Sequence, residues 1–359
     1  SGMETRLGNY IHEYSVRNKL DEDIPVYSVT NSQGFCKDYF GKEVASKNKT
    51  TYKIVPKGYF AYNPSRINVG SVDWQRNEER VIVSPLYNVF YVDSEINHQY
   101  LFYFLKSNYA LQNIKAVATG SVRDNLKFEM LKEFQIKLLP LEEQNEIVEK
   151  LDLITKIIEE YKAELYKYDE LIKARFVEMF GNPEINSFDW PVCTLKELVS
   201  FEPQNGLYKP QSAYVQDGSG FPIVRIDAFY NGRITNFSAL KRLECSESEV
   251  QRYLLQENDI VINRVNSIEY LGKCAHIKGL LEETVFESNM MRLHLDDTVM
   301  NAVFATKLLC SQYIYKQIMI RAKKAVNQAS INQQDVLSFR MFVPPLELQE
   351  QFAAFVEQT

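Results

Sequence analysis

The sequence predicts a mixed α/β (α+β) protein built from two homologous units separated by a long helix of coiled-coil type. Three observations predict it. The chain has 359 residues, a length that suits two domains at roughly 100–200 residues each. One order of segments occurs twice along it. And the 40 residues from Leu141 to Phe180 contain neither Pro nor Gly. The expected boundaries are a first α/β domain over 1–140, the long helix over 141–182, a second α/β domain over 183–345, and the start of a second helix over 346–359.

The repeat is clearest at its C-terminal end. LLPLEEQNEIVEKL (138–151) aligns with FVPPLELQEQFAAFV (342–356) at an offset of 205, which sets Pro140 on Pro345 and Gln144 on Gln349. At the same offset Leu126 meets Ile331, Leu131 meets Val336 and Phe134 meets Phe339. Further upstream the offset drifts. YKIVPKGYFAYNPSRINVGSV (52–72) and YLLQENDIVINRVNSIEYLGK (253–273) still share an apolar stretch, a turn, an apolar strand and a polar loop near Gly70 or Gly272. Strands are expected at 24–29, 59–63 and 81–92, and at 221–226, 259–265 and 290–295, where Val, Ile, Tyr and Phe are dense. Amphipathic helices are expected at 98–114 and 301–320.

Pro140 precedes the long helix, and Gly181-Asn182-Pro183 should stop it. At 1.5 Å per residue it would span roughly 60 Å. Ile147, Leu151, Ile154, Ile158, Tyr161, Leu165, Tyr168 and Ile172 follow one another in alternating steps of four and three. That is a heptad seam, expected to pair with another helix. The alternative is one amphipathic helix packed on its own domain.

Composition narrows the class. Hydrophobic residues make up 45 % and charged residues 25 %, as in a folded globular chain. No apolar run approaches 18 residues, so no membrane span is expected. The start does not read as a signal peptide, Ser1-Gly2 ahead of Met3 reads as a cloning remnant, and a cytoplasmic location is expected. Cys36, Cys193, Cys245, Cys274 and Cys310 form no CxxC pair and are expected to be reduced thiols. His12, His98, His276 and His294 stand far apart, which argues against a zinc site. No phosphate-binding loop, dinucleotide fingerprint or nucleophile elbow is present. Asn-Pro-Ser-Arg (63–66) lacks the second proline and the aromatic ring of an amino-methyltransferase loop.

A net charge of −6 argues, taken whole, against a nucleic-acid binder. Its distribution changes that. Residues 1–140 carry +3 and 181–345 carry −1, whereas 141–180 carry −5 and 346–359 carry −3. No acidic residue lies between Glu95 and Asp124 or between Asp297 and Asp335, two windows at matching places in the repeat. Each window runs into a polar loop, 118–127 or 321–332. The candidate phosphate or base contacts there are Lys115, Ser121, Arg123, Asn125 and Lys127, and Arg321, Lys323, Lys324, Asn327 and Gln328. Asn63, Arg66 and Asn68, with Asn263, Arg264 and Asn266, form a second candidate set after a strand in each copy. Solvated loops and strand-end turns are the alternative for both sets.

The doubled unit, the twin helix starts PLEEQ (140–144) and PLELQ (345–349) and the long heptad helix resemble the specificity subunit of type I restriction–modification systems, over the whole chain. The loops YNPSRINVGS and NRVNSIEYLGK resemble segments of that family's target recognition domains, and GSVRDNLK resembles the polar loop before its spacer helix. The resemblance implies a non-catalytic reader of double-stranded DNA. Residues 1–140 and 183–345 would be target recognition domains, each binding half of a split, asymmetric site. The helices would set their separation and dock modification and restriction subunits. No cofactor is expected on this chain; S-adenosylmethionine and ATP would sit on those partners. The family has a second full helix, whereas Thr359 falls opposite Ile154 of the first copy, as expected of a naturally short or a trimmed chain. Self-association through the unpaired seam, or reliance on the modification subunit, is therefore expected. Other readings are the recognition part of a fused restriction–methyltransferase, or a coiled-coil adaptor with no nucleic-acid role.

Overall fold

The structure is a computed structural model and describes residues 2–37, 48–118 and 125–359. It divides into two compact units, Ser1–Glu160 and Tyr161–Thr359.

Among the described residues, the first unit centres on a four-stranded antiparallel sheet ordered Ile11–Glu13, Asn88–Val92, Phe60–Tyr62, Val72–Trp74. Side chains alternate across a strand. Phe60, Tyr62 and Phe90 therefore enter one core cluster with Leu101, Leu105 and Leu131. Ala61 and Val89 enter another with Val55, Val81 and Val83. Both faces are covered, which is why these strands read as unbroken apolar runs. The expected strand 81–92 is two, Arg80–Val83 and Asn88–Val92, parted at Ser84-Pro85, where proline cannot donate to a ladder.

The second unit repeats this plan in a larger sheet, ordered Val199–Asn205, Met290–Leu295, Ile260–Asn263, Cys274–His276, Arg233–Ile234, Phe229–Tyr230. Ile260 and Ile262 face a cluster with Phe304 and Leu308, and Val261 faces one with Val224 and Phe286. The repeat is visible bond by bond. Met3–Arg6 pairs with Gln135–Leu138, and Val192–Thr194 pairs with Arg340–Phe342. The Leu7 amide donates to the Phe134 carbonyl, and the Leu195 amide to that of Phe339, both at 2.8 Å.

The two expected amphipathic helices are each broken in two. His98–Leu105 gives way to Asn108–Ala118, and Ala302–Leu309 to Gln312–Arg321. Serine makes the break in both copies. The Ser107 hydroxyl donates to the Phe104 carbonyl at 2.6 Å, and that of Ser311 to the Leu308 carbonyl at 2.5 Å. Such a bond competes with the backbone ladder, while the apolar period continues unbroken in sequence.

The repeated glutamine acts as a clamp. Gln144 is fully buried; its Oε1 accepts from the Asn97 amide at 2.8 Å, and its Nε2 donates to the carbonyls of Glu95 (2.9 Å) and Leu139 (2.8 Å). Gln349 is also fully buried and makes the same three bonds, from the Asn301 amide (2.8 Å) and to Val299 (3.1 Å) and Pro344 (2.8 Å). Asn97 and Asn301 then cap their helices with their side-chain oxygens.

The long helix spans Leu141–Phe180 and ends on Gly181 at φ +80°, a left-handed stop. Its seam does not pack along its length. Ile172 is buried and Ile147 and Leu151 are half-buried, but Ile154, Ile158, Tyr161, Leu165 and Tyr168 are 37–65 % exposed. Burial concentrates at the ends, at Gln144 and Val148 and at Ile172, Phe176 and Phe180, spaced by four. In the second unit Phe176 and Phe180 meet Phe352 of the terminal helix Leu346–Gln358 at ring distances of 5.5 and 5.6 Å. The Arg175 guanidinium lies 5.6 Å over Phe355.

Gly272 closes its loop at φ +77°, and a Cβ there would run into the Ile318 side chain. Gly272→Ala is expected to cost about 2 kcal/mol, from the strained backbone and the clash together. A lowered urea midpoint at an unchanged slope would show it.

Candidate nucleic-acid interface

In the first unit the strand Phe60–Tyr62 ends in a tight turn. The Asn63 side-chain oxygen accepts from the Ser65 amide (3.1 Å) and hydroxyl (2.9 Å), which fixes the turn. Arg66 is exposed at the head of the single turn Ile67–Val69, with Asn68 half-buried within it. The second polar loop returns to the same place. The Leu126 amide donates to the Pro64 carbonyl at 3.0 Å, and the Tyr62 hydroxyl donates to the Leu126 carbonyl at 3.0 Å. Asn125 and Lys127 flank that joint. Lys115 is exposed on the helix Asn108–Ala118. Ser121 and Arg123 lie outside the described residues.

The second unit makes the equivalent joint, from the Ile331 amide to the Arg264 carbonyl at 3.0 Å. Around it, Val265–Asn266, Ala329–Ser330 and Lys323–Lys324 form a three-stranded antiparallel sheet. Two loops whose joined residues, Arg264 and Ile331, are 67 positions apart in sequence thus share one surface. Lys323 and Lys324 are exposed, as are Asn327 and Gln328 in the turn closed by the Ala325 amide and the Gln328 carbonyl at 2.7 Å. Asn266 accepts from the Ser267 amide at 2.7 Å.

Three candidate residues turn out to be engaged inside the fold. Asn263 is fully buried, and its amide donates to the Tyr270 carbonyl at 2.8 Å. The Arg264 guanidinium donates to the Ser288 carbonyl at 2.8 Å. Arg321 donates to the Ser338 hydroxyl at 2.8 Å and stacks 5.9 Å from Phe339. Asn263 is closed off by its burial, whereas Arg264 and Arg321 are half-buried, and the side-chain bond of Arg264 uses its Nε alone. Arg66 and Arg264 are also not counterparts, because the bond to the second loop aligns Arg264 with Pro64.

The acid-free windows are partly neutralised through space. Lys316 pairs with Glu184 at 2.9 Å; Lys106 keeps its charge but is held by the Asn31 carbonyl at 2.9 Å. Burial lowers the pKa of both Lys106 and Lys307. Sequence reasoning missed Lys273, exposed beside the Asn263 joint with its ammonium 4.2 Å from the Tyr270 ring. Its place next to Gly272 at the loop end was the available signal. Among the described residues no group of three or more His, Cys, Asp or Glu is placed to hold a metal ion.

Residues 8–167 and 188–359 both match the family described as the type I restriction modification DNA specificity domain. The chain is 24 % identical to the specificity subunit of the type I restriction enzyme EcoKI from Escherichia coli, covering 97 % of this chain and 78 % of that one. It is 32 % identical to the putative type I restriction enzyme MjaX specificity subunit of Methanocaldococcus jannaschii, over 49 % of this chain and 41 % of that one. In fold it is similar to the type I restriction–modification S subunit from M. genitalium, with a TM-score of 0.53 and 15 % identity, covering 100 % of this chain and 90 % of that one.

Proposed function

Because the chain belongs to the type I restriction modification DNA specificity family, we propose that each of its units reads one half of a split, asymmetric duplex target. One observation carries this proposal. In both copies a backbone bond joins the loop after an inner strand of the sheet to the loop before a short helix, Leu126 to Pro64 ahead of Phe128–Lys132 and Ile331 to Arg264 ahead of Gln333–Leu337. The frame is shared, but the side chains on it differ, and unlike side chains on like frames suit unlike half-sites. Lys323, Lys324 and Lys273 would hold phosphates in the second unit, and Lys115 and Lys127 in the first. Arg66, Asn68, Asn125, Asn327 and Gln328 would be within the reading surface.

The chain is not itself the enzyme in this proposal. Modification subunits would bring S-adenosylmethionine and transfer the methyl group to adenine, and a restriction subunit would use ATP. The long helix would space the two readers and, with its exposed seam, dock those subunits or a second copy of the chain. Among the described residues no helix is long and apolar enough to cross a membrane, and the proposed place of action is the cytoplasm.

The test is to map methylated adenines in DNA from cells expressing this chain with its modification subunit. A motif of two unlike halves is expected; a continuous motif, or none, would overturn the proposal. A second test separates grip from reading. Lys323→Gln with Lys324→Gln in the assembled complex should weaken binding to every sequence alike. It should also lower the slope of log affinity against log salt by about 2. An unchanged slope would remove both lysines from the interface.

A further inference from the structure

Cys274 and Cys310 are 36 residues apart, yet their sulfurs lie 3.3 Å from each other. Cys274 is buried in the strand Cys274–His276, and Cys310 is exposed at the end of the helix Ala302–Leu309. A cavity of about 580 Å³ opens on Cys310, lined also by Asp169, Lys173, Asn231, Lys307 and Ser311. The turn at Gly232, φ +80°, lies beside this sulfur: a Cβ there would be in ordinary contact with it at 3.5 Å and tighter against the Thr306 methyl at 3.0 Å. From this geometry we propose that Cys274 and Cys310 form an oxidative modification site, a dithiol that hydroperoxides convert to a disulfide.

The two thiols have different roles. Hydrogen bonding between the two thiols lowers the Cys310 pKa against the opposing effect of burial, with the Lys307 ammonium adding to the lowering, whereas the same bond and then burial raise that of Cys274 well above its ordinary value. Cys310, which lines the cavity, is the attacking sulfur, and the buried Cys274 is the resolving one. The Cys310 thiolate attacks one peroxide oxygen. An S–O bond forms, the O–O bond breaks, and the departing oxygen leaves with a proton as water or alcohol. Cys274 then attacks the sulfenic sulfur. The S–S bond forms, the S–O bond breaks, and hydroxide leaves with the Cys274 proton as water. The two thiols lose two electrons and the peroxide gains them. A disulfide needs the sulfurs at roughly 2.05 Å, a short approach for Cys310 at the end of its helix. The product would tie the central sheet to the helix packed on it.

The test treats the full chain with hydrogen peroxide, then unfolds it and counts thiols. The expected result is a fall from five thiols, the number of cysteines in the chain, by two. The mass should fall by two hydrogens, and peptide mapping should join Cys274 to Cys310. Cys274→Ser should stop at a sulfenic acid on Cys310, captured by a dimedone reagent. Cys310→Ser should leave Cys274 unoxidised. Retention of all five thiols, or a disulfide mapping to Cys36, Cys193 or Cys245, would overturn the proposal. Because the wild-type result needs no substitution, a variant that misfolds does not obscure it.

Discussion

Gln349→Ala is expected to destabilise the second unit by about 3 kcal/mol. The substitution strands the Asn301 amide and the carbonyls of Val299 and Pro344 at a fully buried site. Each stranded polar group costs about 1–3 kcal/mol, and partial entry of water recovers some of that. Gln349→Met keeps most of the volume and none of the bonding, so it should lose nearly as much. Gln144→Ala should do the same to the first unit, where the three bonds recur. Urea denaturation of each variant measures the loss. A cost below about 1 kcal/mol for Gln349→Met would reduce the clamp to a packing contact.

Phe180→Ala is expected to cost about 4 kcal/mol, in the range for a buried aromatic truncated in a tight core. Phe180 is 2 % exposed, and its ring lies 4.6 Å from Phe304, 5.1 Å from Phe176 and 5.6 Å from Phe352. Its loss opens a hole beneath the terminal helix. Amide exchange over 346–358 should therefore speed up more than exchange in the strand Met290–Leu295. Leu165→Ala is the contrasting case on the same helix. Leu165 is 43 % exposed, and its truncation should change stability by less than about 0.5 kcal/mol. Equal losses for the two variants would mean that the seam is packed along its whole length.

These two variants also mark where pattern and packing part. The spacing of Ile154, Ile158, Tyr161 and Leu165 writes a heptad seam, because periodicity records which side chains share a helix face. It does not record whether anything covers that face, and these four residues are exposed. The Ser107 and Ser311 breaks escaped for a related reason. Apolar residues keep their helical spacing across both serines, and the hydroxyl bonds that end each helix leave no mark on that spacing.

The candidate site was legible as two sets of polar loops, not as one surface. Lys323 and Lys324 kept the exposure that the sequence suggested. Arg321 is held by Ser338, and Lys316, within the second acid-free window, is paired with Glu184. An acid-free stretch of sequence is not an acid-free volume, and charge compensation is decided by distance in space.

By itself the sequence determined the doubled unit, the apolar strands at its centre, and the long helix with its proline start and glycine stop. Each of these follows from local spacing or from backbone chemistry within a few residues. Only the tertiary structure decided what the repeated glutamines hold, which basic residues remain exposed, that the two polar loops in each unit meet, and that Cys274 and Cys310 touch. Those features join residues tens of positions apart, and chain folding, not neighbouring sequence, fixes their distances.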